Sequence, residues 1–98
     1  MFVILTSKPG QFRTEITDGL RPCETYDYIS YDEKRARFVI AELQHPTKVM
    51  VIDETPPVRV NHVPSKFLPQ FGSIESARAE LTHLTRSGQS ETRLERIG

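Results

Sequence analysis

Residues 37–53 read RFVIAEL-QHPT-KVMVID, two apolar runs separated by a short polar turn. The first run, Arg37 to Leu43, and the second, Lys48 to Asp53, are rich in β-branched residues and have the length of a strand. The stretch between them, Gln44 to Thr47, contains a proline, a residue common in turns. This part of the sequence therefore predicts two β-strands joined by a turn.

The same organisation extends toward the N-terminus. Phe2 to Thr6 is a continuous apolar run, which predicts a central strand buried on both faces. Lys8 to Gln11 contains Pro-Gly and is typical of a tight turn. Phe12 to Thr17 alternates polar and apolar residues, so we predict a strand that forms a hairpin with the first. After a loop over residues 18–22, the aromatic and β-branched segment Glu24 to Tyr31 predicts another strand.

A further turn and a further strand complete the pattern on the two sides of residues 37–53. Asp32 to Arg35 forms a charged turn before the strand at Arg37. Val58, Val60 and His62 share one face of a further strand, and the flanking prolines predict that this strand lies at a sheet edge. Residues 64–71 are irregular and are predicted to form a packed connector with one short helical turn.

An amphipathic helix follows, from Ser73 to Arg86. Ser73 is a suitable N-cap, and Glu75 lies in the first turn, where the helix dipole favours a carboxylate. Arg86 and Gly88 are typical of a helix end. The apolar residues spaced three, four and three apart are predicted to pack against the sheet: Ile74, Ala77, Leu81 and Leu84.

These elements predict an α+β fold, an antiparallel twisted sheet of five to six strands with one C-terminal amphipathic helix; a partial barrel is one form such a sheet can take. The 98 residues have the length of one domain, which we predict to span residues 1–86. Residues 87–98 are polar except for Leu94 and Ile97, and we predict that they form a mobile tail.

The composition is that of a soluble globular protein with balanced charge. Thirteen basic and thirteen acidic residues give a formal net charge of zero. Nucleic-acid-binding and membrane-surface proteins usually carry a basic excess, so both classes are disfavoured. Zero net charge causes little repulsion between copies, which favours self-association. The apolar start lacks a basic flank and no run approaches a membrane span, so we expect a cytoplasmic protein.

The sequence contains no recognised catalytic or metal-binding motif. Cys23 is the only cysteine, so the chain can form neither an internal disulfide nor a thiolate cluster. His45, His62 and His83 lie far apart in the sequence, without the spacing of metal ligands. We therefore predict no catalytic residue, no metal site and no cofactor.

Two groups of residues are candidates for binding. Lys34, Arg35 and Arg37 form a basic segment beside aromatic residues, a combination that suits single-stranded nucleic acid, although a solvated hairpin turn with aromatic core residues behind it is the favoured interpretation. The second group could line a pocket between sheet and helix or across a dimer interface. Its members are Arg13, Arg21, Tyr26, Tyr28, Arg37 and His62.

Three functions remain open at this point. The leading one is a non-enzymatic small binding protein, an accessory subunit or a regulatory or interaction module, that forms a homo-oligomer. The second is a small enzyme or small-ligand-binding protein that uses the pocket residues above. The third is a nucleic-acid-binding module that uses Lys34 to Arg37. The expected partner is a second copy of the chain, with another protein as the alternative; we expect neither nucleic acid nor a membrane.

Overall fold

The computed structural model describes residues 1–85 and 92–98. These residues form an α+β fold with seven β-strands, one α-helix and a single 3₁₀ turn at Ser65–Phe67. The elements are β1 (Phe2–Ser7), β2 (Phe12–Glu15), β3 (Leu20–Ser30), β4 (Glu33–Leu43), β5 (Lys48–Asp53), β6 (Val60–Pro64), α1 (Ile74–Thr85) and β7 (Thr92–Arg96).

The strands form two antiparallel sheets rather than the single sheet predicted from the sequence. Sheet 1 has four strands in the order β1-β4-β3-β7, and sheet 2 has three in the order β2-β5-β6. Neither sheet closes into a barrel. The predicted central position of β1 is also wrong, because β4 lies inside sheet 1 and β1 at its end. The outer edge of β1 is bridged at Phe2 by Phe71, through two backbone hydrogen bonds of 2.8 Å.

The split into two sheets begins at the turn after β1. Lys8 and Phe12 form one isolated bridge across this turn. The predicted hairpin goes no further as a backbone ladder, and β2 pairs with β5, with Thr14 opposite Val51. The Pro-Gly turn is therefore correct, but the strand after it belongs to the second sheet. A turn pattern in the sequence predicts where the chain reverses direction. It does not predict which strand the following segment pairs with.

The long hairpin of β3 and β4 is the centre of sheet 1. Its turn residues, Tyr31 and Asp32, have φ values of 52° and 61°, the left-handed conformation of a tight hairpin turn. β3 begins at Leu20, so the predicted loop over residues 18–22 is too long. Pro22 is tolerated in β3 because it lies beside a bulge and β7 covers only Tyr26 to Ser30.

Sheet 1 is the middle of three layers. On one face it packs against α1, and the fully buried residues there include Ile40 and Leu81. On the other face it packs against sheet 2, where Val3 and Val49 are buried together. The predicted edge strand at Val58 to His62 corresponds to β6, which does lie at the edge of sheet 2 but begins at Val60, so Val58 lies before it.

Helix α1 begins as predicted. The backbone N–H of Ser76 donates to Ser73 Oγ at 3.1 Å, which satisfies one of the free N–H groups of the first turn. Ala77 and Leu81 are buried, but Leu84 is 59% exposed, so the predicted apolar stripe does not hold at its last residue. The spacing of the stripe is helical throughout, but the sheet does not cover the last turn.

The helix is not C-terminal, because a strand follows it. β7 pairs with β3 in the register that places Leu94 opposite Tyr28. This strand occupies residues 92–96 of the predicted polar tail. The predicted helix stop at Arg86 and Gly88 lies outside the described residues. Within residues 1–85 and 92–98, no helix is long and apolar enough to cross a membrane.

Candidate functional site

An open cleft of about 410 Å³ lies where the turn between β1 and β2 meets the start of β4. Its walls come from both sheets, so residues far apart in the sequence face the same space. Three of them are cations from the predicted binding groups. The cleft is lined by Ser7, Pro9, Gly10, Phe12, Arg13, Thr14, Lys34, Arg37 and Glu54.

The turn that forms the first wall is fixed by backbone hydrogen bonds. The carbonyl of Lys8 accepts from the N–H groups of Gln11 at 3.0 Å and Phe12 at 3.1 Å. Gly10 has a φ of 78°, a left-handed conformation that glycine adopts without steric cost. The N–H of Glu54 donates to the Gln11 carbonyl at 2.9 Å, which ties the turn to the end of β5.

The junction of β1 and β2 is held by side chains as well. The backbone N–H of Thr14 donates to Ser7 Oγ at 2.9 Å. The hydroxyl of Thr14 donates to the Thr6 carbonyl at 2.5 Å. These bonds join β1 and β2 in place of the hairpin ladder that the two strands do not form.

The second wall carries two cations arranged around one carboxylate. Arg37 on β4 donates from Nε to Asp27 Oδ1 at 2.8 Å and from Nη2 to Oδ2 at 3.3 Å. Lys34 Nζ lies 3.8 Å from Asp27 Oδ1. The hydrogen bond from Arg37 lowers the pKa of Asp27, whose side chain is 14% exposed. Asp27 therefore stays ionised and positions Arg37 by two bonds while holding Lys34 only loosely.

Arg13 brings a third cation to the cleft from β2. Its Nε donates to Glu15 Oε1 at 2.9 Å, and its Nη1 lies 3.4 Å from Glu54 Oε2. The hydrogen bond to Glu15 is the main reason that the pKa of Arg13 is raised. All three side chains are partly exposed, so solvent screens these ion pairs strongly and each holds Arg13 only weakly.

The charges of the wall itself are mostly positive. Three cations line the cleft with one carboxylate, Glu54. Two further carboxylates, Asp27 and Glu15, pair with these cations from outside the lining. The three cations and three carboxylates of the network thus balance in charge. The surface that faces the cleft is nevertheless rich in cationic hydrogen-bond donors.

The other predicted binding residues do not reach the cleft. Arg21 pairs with Glu42 at 2.9 Å at the start of β3. Arg35 pairs with Glu33 at 3.1 Å, away from its neighbours Lys34 and Arg37. His62 is exposed on β6. Tyr26 and Tyr28 pack in the core between sheet 1 and α1.

A buried carboxylate, Glu24, was missed by sequence reasoning. It is 3% exposed on the helix-facing side of β3. Arg78 on α1 donates from Nε to both carboxylate oxygens, at 2.9 and 3.1 Å, and Nη2 also contacts Oε2. Tyr26 donates from its hydroxyl at 2.5 Å, and Arg96 Nη1 on β7 lies 3.7 Å away. The hydrogen bonds from Arg78 do most to lower the pKa of Glu24 to about 2.

This cluster joins three elements of the fold, β3, α1 and β7. A signal for it was present in the sequence. Glu24 shares the strand face of Tyr26 and Tyr28, and Arg78 lies four residues after Ile74 on the stripe of α1. A carboxylate and a guanidinium at apolar positions of two facing elements are typical of a buried ion pair.

The described residues offer no obvious centre for metal or nucleophilic chemistry. Within residues 1–85 and 92–98, no three His, Cys, Asp or Glu side chains are grouped as metal ligands. Cys23 is half-buried in β3, with its Sγ 3.5 Å from the carbonyl of Arg21. No protein-family model, no curated protein and no solved structure matches this chain.

Proposed function

We propose that this protein is a non-enzymatic binding module, of the accessory or regulatory kind, whose cleft binds the anionic group of a small molecule. One observation carries the proposal. Arg13 comes from β2 in sheet 2, and Lys34 and Arg37 come from β4 in sheet 1, yet all three line the same cleft. A carboxylate or a phosphate is the group that such converging donors recognise.

The cations differ in how readily they can accept a ligand. Lys34 lies 3.8 Å from Asp27, beyond ordinary hydrogen-bond length, so its ammonium donors are open to an incoming anion. Asp27 engages Nε and Nη2 of Arg37, which fixes the guanidinium plane and leaves Nη1 for a ligand. Arg13 can exchange an exposed partner for the ligand at little cost in free energy.

The rest of the cleft fits the body of a small ligand. Its volume of about 410 Å³ lies within the range of small-molecule pockets. Phe12 and Pro9 provide apolar surface beside the cations. The cations and hydroxyl groups of the lining are hydrogen-bond donors suited to binding and orienting an anion.

A nucleic-acid strand fits this arrangement less well than a small anion. Arg35 pairs with Glu33 instead of extending the row of Lys34 and Arg37. A nucleic-acid strand needs a continuous row of cations along its phosphates. The zero formal net charge of the chain also gives no long-range attraction for a polyanion.

Calorimetric titration with inorganic phosphate and small carboxylates, each compared with a neutral analogue, tests the proposal. We expect the anions to bind and their amide or alcohol analogues not to bind. Lys34→Ala and Arg37→Ala should each weaken anion binding about tenfold, the loss of one charge-assisted hydrogen bond. Arg35→Ala is the matched control, since it removes a cation from the same strand but outside the cleft.

The control also separates the two binding hypotheses. Equal losses for Lys34→Ala, Arg37→Ala and Arg35→Ala would indicate a general basic segment and would contradict the cleft. Tight binding of an oligonucleotide at physiological salt, abolished by the three changes together, would support the nucleic-acid module instead.

A further inference from the structure

β7 forms the outer edge of sheet 1, and no other described strand pairs with its far side. The N–H of Ile97 donates to the Thr25 carbonyl on β3 at 2.8 Å. Because backbone groups alternate in direction along a strand, Arg93 and Glu95 also direct theirs toward β3. Leu94 and Arg96 consequently direct their N–H and C=O groups outward, where an added strand could pair with them.

We propose that the partner at this edge is a second copy of the chain, with two β7 strands paired antiparallel about a twofold axis at Leu94. In this register the two Leu94 residues exchange their outward backbone hydrogen bonds. Arg93 lies opposite Glu95 of the second copy, and Glu95 lies opposite Arg93 of the second copy. The two four-stranded sheets become one sheet of eight strands.

Charge complementarity carries this proposal. Arg93 Nε lies 3.0 Å from Glu95 Oε2 within one chain, and both side chains are about half exposed on the same face. When this Arg-Leu-Glu segment pairs antiparallel with the same segment of a second copy, Arg93 of each chain lies opposite Glu95 of the other. The four charges on this face then alternate in sign. Opposite charges across strands stabilise such a pair, and like charges directly opposite destabilise it. Charged side chains usually protect an edge strand from pairing, but here the charges match those of an identical strand.

The helix-facing side of the same edge offers apolar surface to the second copy. Leu94 is half-buried beside Tyr28. A groove of about 260 Å³ runs between the end of α1 and β7, lined in part by Thr82, Thr85 and Leu94. Leu94 of the second copy would lie on this side of the combined sheet and extend the apolar contact. Both faces of β7 thus suit a second copy of the chain. One face would form ion pairs between the copies, and the other would bring the two Leu94 side chains together.

The edges at β6 and β1 fit a second copy less well. β6 ends at Pro64, which has no N–H to donate, and self-pairing about His62 would place Pro64 opposite Val60. β1 is already bridged by Phe71 at Phe2. The β7 assembly does not involve the residues of the cleft, so it is independent of the proposed ligand.

Charge reversal with sedimentation velocity tests the assembly. The wild-type chain should sediment as a dimer at micromolar concentration. Arg93→Glu and Glu95→Arg each place like charges opposite one another, so each variant alone should be monomeric, with the dimer dissociation constant raised about tenfold or more. An equimolar mixture of the two variants should recover the dimer, because the two carboxylates of one chain then face the two guanidinium groups of the other.

Recovery of the dimer in the mixture would show that neither variant is monomeric merely because it is poorly folded. Arg93 also lies 3.5 Å from Asp32, so its reversal weakens a contact inside the chain, and circular dichroism of each variant should accompany the measurement. The control is Arg35→Glu, which reverses a similar exposed pair with Glu33 on β4 and should leave the dimer intact. A monomeric wild-type chain, or single reversals that remain as dimeric as the wild type, would overturn the proposal.

Discussion

Arg78 on α1 holds the carboxylate of Glu24 on β3, donating from Nε at 2.9 and 3.1 Å to a group that is 3% exposed. Arg78 itself is 44% exposed, so the pair has one buried and one solvated member. A buried carboxylate is stable only when it is paired and hydrogen-bonded. The position of α1 on sheet 1 therefore depends on one ion pair as well as on apolar packing.

Glu24→Gln should destabilise the protein by about 1–3 kcal/mol. The amide keeps the size of the side chain but loses its charge and part of its hydrogen bonding, and the remaining cations can turn toward solvent, which limits the cost. Urea unfolding measures the change. Arg21→Gln, which breaks the exposed pair with Glu42, is the control and should cost less than about 0.5 kcal/mol. Equal midpoints for the two variants would show that the buried pair adds nothing.

The low pKa of Glu24 predicts a pH dependence of stability. The pKa falls from an ordinary value of 4.5 to about 2 in the folded protein. The folded state therefore binds fewer protons in this range, so the contribution of Glu24 is complete above pH 4.5 and is lost as the pH falls toward 2. Its size is on the order of 3 kcal/mol before solvent screening at Arg78 reduces it.

The difference in unfolding free energy between the wild type and Glu24→Gln isolates this contribution. We expect the difference to be constant near neutral pH and to shrink between pH 4.5 and pH 2, because only the wild type has the titrating group. A difference that stays constant through this range would mean that Glu24 has an ordinary pKa.

Leu81 and Leu84 should respond very differently to truncation. Leu81 is 1% exposed in the core under α1, so Leu81→Ala should cost about 2–4 kcal/mol. Leu84 is 59% exposed, so Leu84→Ala should cost less than about 1 kcal/mol. The midpoints of urea unfolding measure the loss of stability in each variant. Similar losses would mean that the sheet covers the last turn of the helix after all.

The helix and most strands could be predicted from the sequence because their signals are local. β5 begins and ends at the predicted residues, and Ser73 caps α1 as expected. The pairing of β2 with β5 could not be read from the turn before it, since strand pairing depends on distant residues. β7 escaped prediction because TRLER has one large apolar residue, Leu94, and gives almost no alternation signal.

The cleft was only partly predictable for the same reason. Arg13, Lys34 and Arg37 were among the candidates, but in two separate hypotheses, and only the fold brings β2 next to the start of β4. Glu54 and the turn at Gly10 had no signal that linked them to these cations. The residue types of such a site can be predicted from the sequence. That these residues meet in one cleft can be seen only in the folded structure.

Asp27→Asn should strengthen anion binding in the cleft. The substitution removes the carboxylate that neutralises Arg37 and lies near Lys34, so an incoming anion meets less competition. We expect an affinity a few times higher for inorganic phosphate and a steeper dependence on salt, measured by calorimetry. Weaker binding would show that Asp27 is needed chiefly to hold Arg37 in position.

The most direct test of the cleft is an amide chemical-shift titration of the whole chain with inorganic phosphate. The account predicts that shifts at millimolar phosphate concentrate in residues 7–14 and 34–37, and that Lys34→Ala raises the phosphate concentration needed for them about tenfold while Arg35→Ala does not. Absence of any shift in these two segments, or shifts confined to other parts of the protein, would contradict the cleft as the binding site.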